Sequence, residues 1–106
     1  MAAELTQDQV SRTRREGDAV SFRCTNTEQC GDNYIFWYQQ KESETFTLIL
    51  DIDKRNGALD KGYNHPQKDD FSSVLKENSW ELSLQAVKAS HSATYYCSCW
   101  ISGVTQ

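Results

Sequence analysis

The side chains with the widest chemical range in this sequence are four cysteines, Cys24, Cys30, Cys97 and Cys99, and two histidines, His65 and His91. Two of the cysteines lie one residue apart in Tyr95-Tyr96-Cys97-Ser98-Cys99-Trp100. Thiolates and imidazoles bind zinc, and Cys30, Cys97, Cys99 and one histidine supply the ligand types. The spacing argues against that use: there is no Cys-x₂-Cys pair, and Cys24 is left over. Disulfides are the other outlet, and four cysteines allow three connectivities. Nucleophilic catalysis finds no footing, because no serine stands in a usable His–Asp context and no glycine-rich phosphate loop is present. Carboxylate pairs such as Asp69-Asp70 read as solvated strand edges. No enzymatic activity, cofactor or metal is expected.

The chain that must position these groups has 106 residues. That is enough for one domain, 1–106, with a modest core that gains from covalent cross-links. Its formal net charge of −4 argues against nucleic acid, whose phosphates want a concentrated basic surface. The one basic cluster, Arg12-Thr13-Arg14-Arg15, is diluted by Glu16 and Asp18 and reads as a solvated strand end. No apolar run approaches the ~18 residues of a membrane span, so direct membrane contact is not expected. The opening Met1-Ala2-Ala3-Glu4 has none of the pattern of a signal peptide.

Short alternating runs separated by polar turns dominate the sequence, which is how a sandwich or barrel of antiparallel strands reads. Residues 19–24 alternate, with Val20, Phe22 and Cys24 on one face. Residues 34–40 are aromatic-rich, 46–52 are apolar and branched, and 80–87 alternate through Leu82 and Leu84. Residues 94–97 form a last short run. Asn56-Gly57 is a cue for a two-residue hairpin, and only 85–90 could make a short helical turn.

Cys24 on its alternating strand, Trp37 opening Trp37-Tyr38-Gln39-Gln40-Lys41, and Cys97 closing Ser92-Ala93-Thr94-Tyr95-Tyr96-Cys97 stand in a telling order. With them the chain resembles a variable-type immunoglobulin domain over nearly its whole length, and within that class the stretches 10–24 and 78–97 look most like T-cell receptor variable domains, gamma-type chains in particular. The resemblance implies an all-β, two-sheet Greek-key sandwich. Cys24 and Cys97 would bridge the sheets, Trp37 would pack on the bridge, and Tyr95 would cap a corner by bonding to backbone. Leu82 joins Trp37 and Tyr95 as core. The span from Trp37 to Cys97 leaves room for the two extra strands of a variable domain, near 48–52 and 58–63. In such a sandwich Cys30 falls in the first loop, 27–33, and Cys99 at the base of the third, which favours Cys30–Cys99 as a loop-to-loop bridge.

The pattern departs from the family in two places. Variable domains usually carry a cation before the Phe-Ser of the fourth strand and an Asp six residues before the second cysteine. Here Asp70 precedes Phe71-Ser72 and His91 takes the later place, so a reversed pair is expected. The family's final strand, beginning Phe-Gly-x-Gly, is not found before Gln106, so that strand is expected to be truncated or absent. Either the sequence stops near the germline-encoded boundary or the chain lacks the strand, as surrogate light-chain components do. The result would be a sheet edge of unpaired backbone groups that invites a partner's strand.

Alternation sends Trp37 inward and Tyr38 and Gln40 outward. The positions that meet a second variable domain in the family correspond to Tyr38, Gln40, Phe46, Leu48 and Tyr96, and they form the expected pairing face. The loop end comprises 27–33, 51–57 and 98–104. Its candidate ligand-binding residues are Glu28, Asp32, Asp53, Arg55, Trp100 and Ile101, with Trp100 as a loop-borne aromatic anchor. Glu28, Asp32, Asp51 and Asp53 tilt that end acidic, and Trp80 reads as framework. The resemblance implies an antigen-receptor-type variable domain on the outside of a plasma-membrane protein. It would pair with another V-type domain, as homo- or heterodimer, and bind a protein or peptide-presenting ligand. The alternative is a V-type co-receptor or surrogate-chain domain whose main work is assembly.

Overall fold

Eight strands are found among the described residues, and in 20–24 and 34–40 every second side chain is buried, as extended backbone dictates. The computed structural model describes residues 2–9, 17–24, 30–31, 33–77 and 79–100, with the backbone alone for Ala2–Gln9 and Trp100. The strands are β1 (Ala2–Gln9), β2 (Val20–Cys24), β3 (Tyr34–Gln40), β4 (Phe46–Asp53), β5 (Leu59–Asp60), β6 (Phe71–Lys76), β7 (Ser79–Leu84) and β8 (Thr94–Trp100). One sheet has the order β1-β8-β3-β4-β5 and the other β2-β7-β6, all pairings antiparallel. Single 3₁₀ turns at Lys68–Asp70 and Ala89–His91 lead into β6 and β8. The basic cluster at 12–15 lies outside the described residues.

The core fills the space between the sheets. β2 contributes Val20, Phe22 and Cys24, β3 contributes Ile35 and Trp37, and β7 contributes Leu82 and Leu84, all at most 2 % exposed. Cys24 and Cys97 are bonded across the sheets with Cα atoms 6.0 Å apart. Trp37 stands directly opposite Cys97 in the β3–β8 ladder. Between Trp37 and Tyr38 the β3–β4 register shifts, so Leu50 faces Trp37 and Leu48 faces Tyr38. The extra residue is Ile49, and this bulge lets Ile49 and Leu50 both reach the interior.

Three sequence expectations change here. The Asn56-Gly57 cue belongs to a four-residue turn, 54–57, closed by Asp53 N–H to Ala58 C=O at 2.9 Å. Gly57 is needed there twice: its φ is +75°, and a Cβ would come within 3.3 Å of the Trp80 ring. The second extra strand shrinks to Leu59–Asp60, because 61–70 turn away to build the floor of the sandwich. The β8 edge expected to stand open is instead paired by β1, from Ala2 opposite Trp100 to Gln9 opposite Thr94. Backbone donors and acceptors at an edge take whatever strand reaches them, and here the chain's own first strand does so.

The floor, opposite the loop end, is polar. Tyr95 Oη donates to the His91 carbonyl at 2.6 Å, and burial pushes this phenol up to about 12. His91, wholly buried, offers Nε2 to Asp70 Oδ2 at 2.9 Å, which is the reversed pair. Its Nδ1 accepts the Lys88 N–H at 2.9 Å, so the proton sits on Nε2. Replacing Asp70 by Ala leaves that buried N–H without a partner and should cost about 1–3 kcal/mol, while Asp70→Asn keeps an acceptor and should cost less than about 1 kcal/mol. Urea unfolding of the two variants at neutral pH measures the difference.

Candidate functional site

The outward face of the five-stranded sheet is built by the same alternation that fills the core. With Trp37, Tyr95 and Cys97 inward, Tyr38, Gln40 and Tyr96 must point outward. The ladders set them in rows: Tyr38 is flanked by Tyr96 on β8 and Leu48 on β4, and Gln40 is opposite Phe46. Phe46 is 50 % exposed. Its ring meets Tyr96 edge-on at 4.9 Å between centroids, and Tyr96 Oη donates to Gln40 Oε1 at 3.3 Å. All five residues expected for the pairing face are therefore contiguous.

Nearer the loop end the same face turns acidic. Asp51, counted from sequence among the acids of the loop end, sits in β4 and is buried. Its carboxylate accepts the Tyr63 hydroxyl, and desolvation together with that carboxylate raises the Tyr63 pKa. Asp53 and Arg55 satisfy each other. Arg55 reaches Oδ1 through Nε at 3.0 Å and Oδ2 through a guanidinium N–H at 2.8 Å, which holds the Asp53 carboxyl below its usual value. The guanidinium also lies 5.8 Å from the Tyr34 ring centroid. This pairing balances the Asp53 charge and leaves most of the Arg55 side chain exposed.

Cys30 and Cys99 are bonded, with Cα atoms 5.7 Å apart, and no free cysteine remains. Cys99 is wholly buried and belongs to β8, as does Trp100, so neither stands in a loop. Extended backbone sends Tyr95, Cys97 and Cys99 to one side. Cys97 thus reaches the opposite sheet, and Cys99 reaches Cys30 from the same strand face. Glu28, Asp32 and Ile101, and the Trp100 side chain, lie outside the described residues. Among the described residues no group of three His, Cys, Asp or Glu side chains is arranged to hold a metal, and no helix is long and apolar enough to cross a membrane. Sequence reasoning weighed His65 only as a zinc-ligand type and missed its place under β3 and β4, where it is 5 % exposed.

Known proteins resemble this chain in sequence and in fold. The immunoglobulin V-set domain family matches residues 7–106. Human T cell receptor beta variable 16 is 30 % identical over 95 residues, covering 89 % of this chain and 78 % of that protein. The mouse T-cell receptor gamma chain V region V108A is 26 % identical over 99 residues, 92 % of this chain and 73 % of that protein. A rabbit Ig kappa chain V region is 28 % identical over 96 residues, 91 % of this chain and 82 % of that protein. In fold, a marsupial T cell receptor superposes with a TM-score of 0.74 at 20 % identity, over 98 % of this chain and 47 % of that one. The present chain thus spans about half the length of that receptor chain.

The second bridge closes only a small additional ring once Cys24–Cys97 exists. A Cys30→Ser/Cys99→Ser variant should therefore still fold and lose about 2–3 kcal/mol, against about 4–5 kcal/mol for removal of Cys24–Cys97. Denaturant midpoints of the two double variants check the order. An intact mass about 4 Da below the all-thiol value checks that both bridges form in the parent.

Proposed function

We propose that this chain, which belongs to the immunoglobulin V-set family, is an antigen-receptor-type variable domain that pairs through its five-stranded sheet and meets a ligand with its loop end. The carrying observation is the contiguous row of Tyr38, Leu48, Phe46 and Tyr96 on the outward face, with Phe46 half exposed and braced edge-on by Tyr96. Aromatic surface held rigidly in water marks an interface, because its burial gains apolar area with little side-chain entropy left to lose. Gln40, bonded to Tyr96, adds a polar group at the same place. The partner this surface fits is a second V-type domain. The T cell receptor variable relatives support the assignment.

At the loop end, the Cys30–Cys99 bridge fastens the first loop to β8. Arg55 is fixed by Asp53 and Tyr34 while 60 % of its side chain stays exposed. Order imposed before binding lowers the entropy lost on binding. The ligand class this suits is a folded protein or peptide-presenting surface, met outside the cell by the extracellular part of a membrane receptor.

Sedimentation velocity of the chain alone, and mixed with candidate V-type chains, tests the pairing. Association is expected, and Phe46→Ser should weaken it by about tenfold or more, as removal of a central aromatic does, with an unchanged unfolding midpoint. A chain that stays monomeric at high concentration and associates with no V-type partner overturns the reading.

A further inference from the structure

Behind the aromatic face, β3 and β4 are tied together by one buried histidine. His65 Nε2 lies 3.1 Å from Gln39 Oε1 and 3.1 Å from Thr47 Oγ1. Its Nδ1 accepts the Gln67 N–H at 3.0 Å. Only one proton assignment fits: Nδ1 faces a donor and is bare, so Nε2 carries the proton toward the two oxygens. The Thr47 hydroxyl is free to accept because its own proton goes to the Gln39 carbonyl at 3.1 Å. Gln39 Nε2 then donates to Gln67 Oε1 at 2.8 Å and Tyr95 Oη at 3.0 Å, and Gln67 Nε2 donates to the Ser90 carbonyl at 3.0 Å. One hydrogen-bond network thus joins β3, β4, the 61–70 segment and the turn before β8, oriented throughout by a neutral imidazole.

We propose that His65 is a proton-operated latch on the pairing face: neutral, it ties the start of β4, where Phe46 and Leu48 stand, to β3, and its protonation releases that tie and weakens pairing. The regulation rests on the pairing reading above; the latch itself does not. A second proton would go to Nδ1 and confront the Gln67 N–H. The cation formed would be buried with no carboxylate partner among the described residues. The groups packed around it are Gln39 from β3, Thr47 from β4, Gln67 from its own segment and the edge of Phe71 from β6, whose centroid is 6.5 Å away. The charge that bears on it is Lys41, of the same sign. Tyr95, one hydrogen bond further on, is kept neutral by burial. His91, on the other side of Phe71, shows the contrast: its Nδ1 also accepts a backbone N–H, but Asp70 stands ready at Nε2.

Burial first, and Lys41 second, lower the His65 pKa from 6.5. The sign follows from which state binds the proton more tightly. The unfolded chain takes it up first as pH falls, so the latch's contribution is complete above 6.5 and is lost as pH drops below that value toward the lowered folded one.

Two measurements test this. In the monomeric chain, an NMR titration from pH 7.5 to 5.0 should show the Gln67 amide losing exchange protection in step with protonation of the His65 ring. In the paired state, the dissociation constant should rise at least threefold between those pH values, and His65→Gln, which keeps a neutral donor and acceptor, should abolish the rise. A Gln67 amide indifferent to His65 protonation overturns the latch. An equal pH response in parent and His65→Gln overturns the regulation. Absence of pairing at any pH overturns the pairing reading and the regulation with it, while the Gln67 amide still decides the latch.

Discussion

The bond between Cys24 and Cys97, with Trp37 opposite Cys97, is the constraint from which the other surfaces follow. It fixes which side of β2 and of β8 faces inward, and antiparallel pairing passes that choice to β3, β7 and β4. Once Trp37 is inside, Tyr38 and Gln40 have no option but to face out. A one-residue slip would bury Tyr38 and Gln40 and expose the core, so the bridge that holds two sheets together also specifies the outward face. In a chain of 106 residues the loop-closure stabilisation is a large share of the total, since net stabilities of such domains are only about 5–15 kcal/mol.

The interior is not uniform from end to end. Around the bridge it is apolar, with Ile35, Leu50, Ile52 and Leu82 fully buried. At the floor it is a hydrogen-bonded layer of Gln39, His65, His91 and Tyr95, with Phe71 set between the two imidazoles. Such a layer stabilises only when every group has its partner, and it then admits one arrangement in place of several. Both histidines use a ring nitrogen as acceptor for a backbone N–H, so each replaces a turn carbonyl that the local chain does not supply. The floor supports β4 from beneath while the second bridge steadies the opposite end.

Much of this was legible in the sequence, for identifiable reasons. The period-two pattern alone assigns Val20, Phe22, Leu82 and Leu84 to one side of their strands, and the order of Cys24, Trp37 and Cys97 supplies the fold. Asp70 and His91 could be paired because both departed from the family pattern together. What was not legible depended on non-local packing. His65 stands in Tyr63-Asn64-His65-Pro66, which reads as polar loop, and only the fold carries it under β3 and β4. Asp51 looked like a loop acid because nothing local announces Tyr63 as its partner. The pairing of β1 with β8 was hidden because an open edge accepts any extended segment that reaches it. One signal was present and overlooked: continuing the alternation from Tyr95 through Cys97 places Cys99 on the same inward side, which makes β8 longer than its apolar run.

The most direct measurement is a map of where a second domain touches the isotope-labelled chain, read as NMR chemical-shift changes while the chain is concentrated or a V-type partner is added. The expected changes gather on Tyr38, Gln40, Phe46, Leu48 and Tyr96, on the outward side fixed by the Cys24–Cys97 bridge. Changes gathered instead on β6 and β7, around Ser72, Val74 and Ser83, would contradict it, because the docking surface would then lie on the opposite sheet.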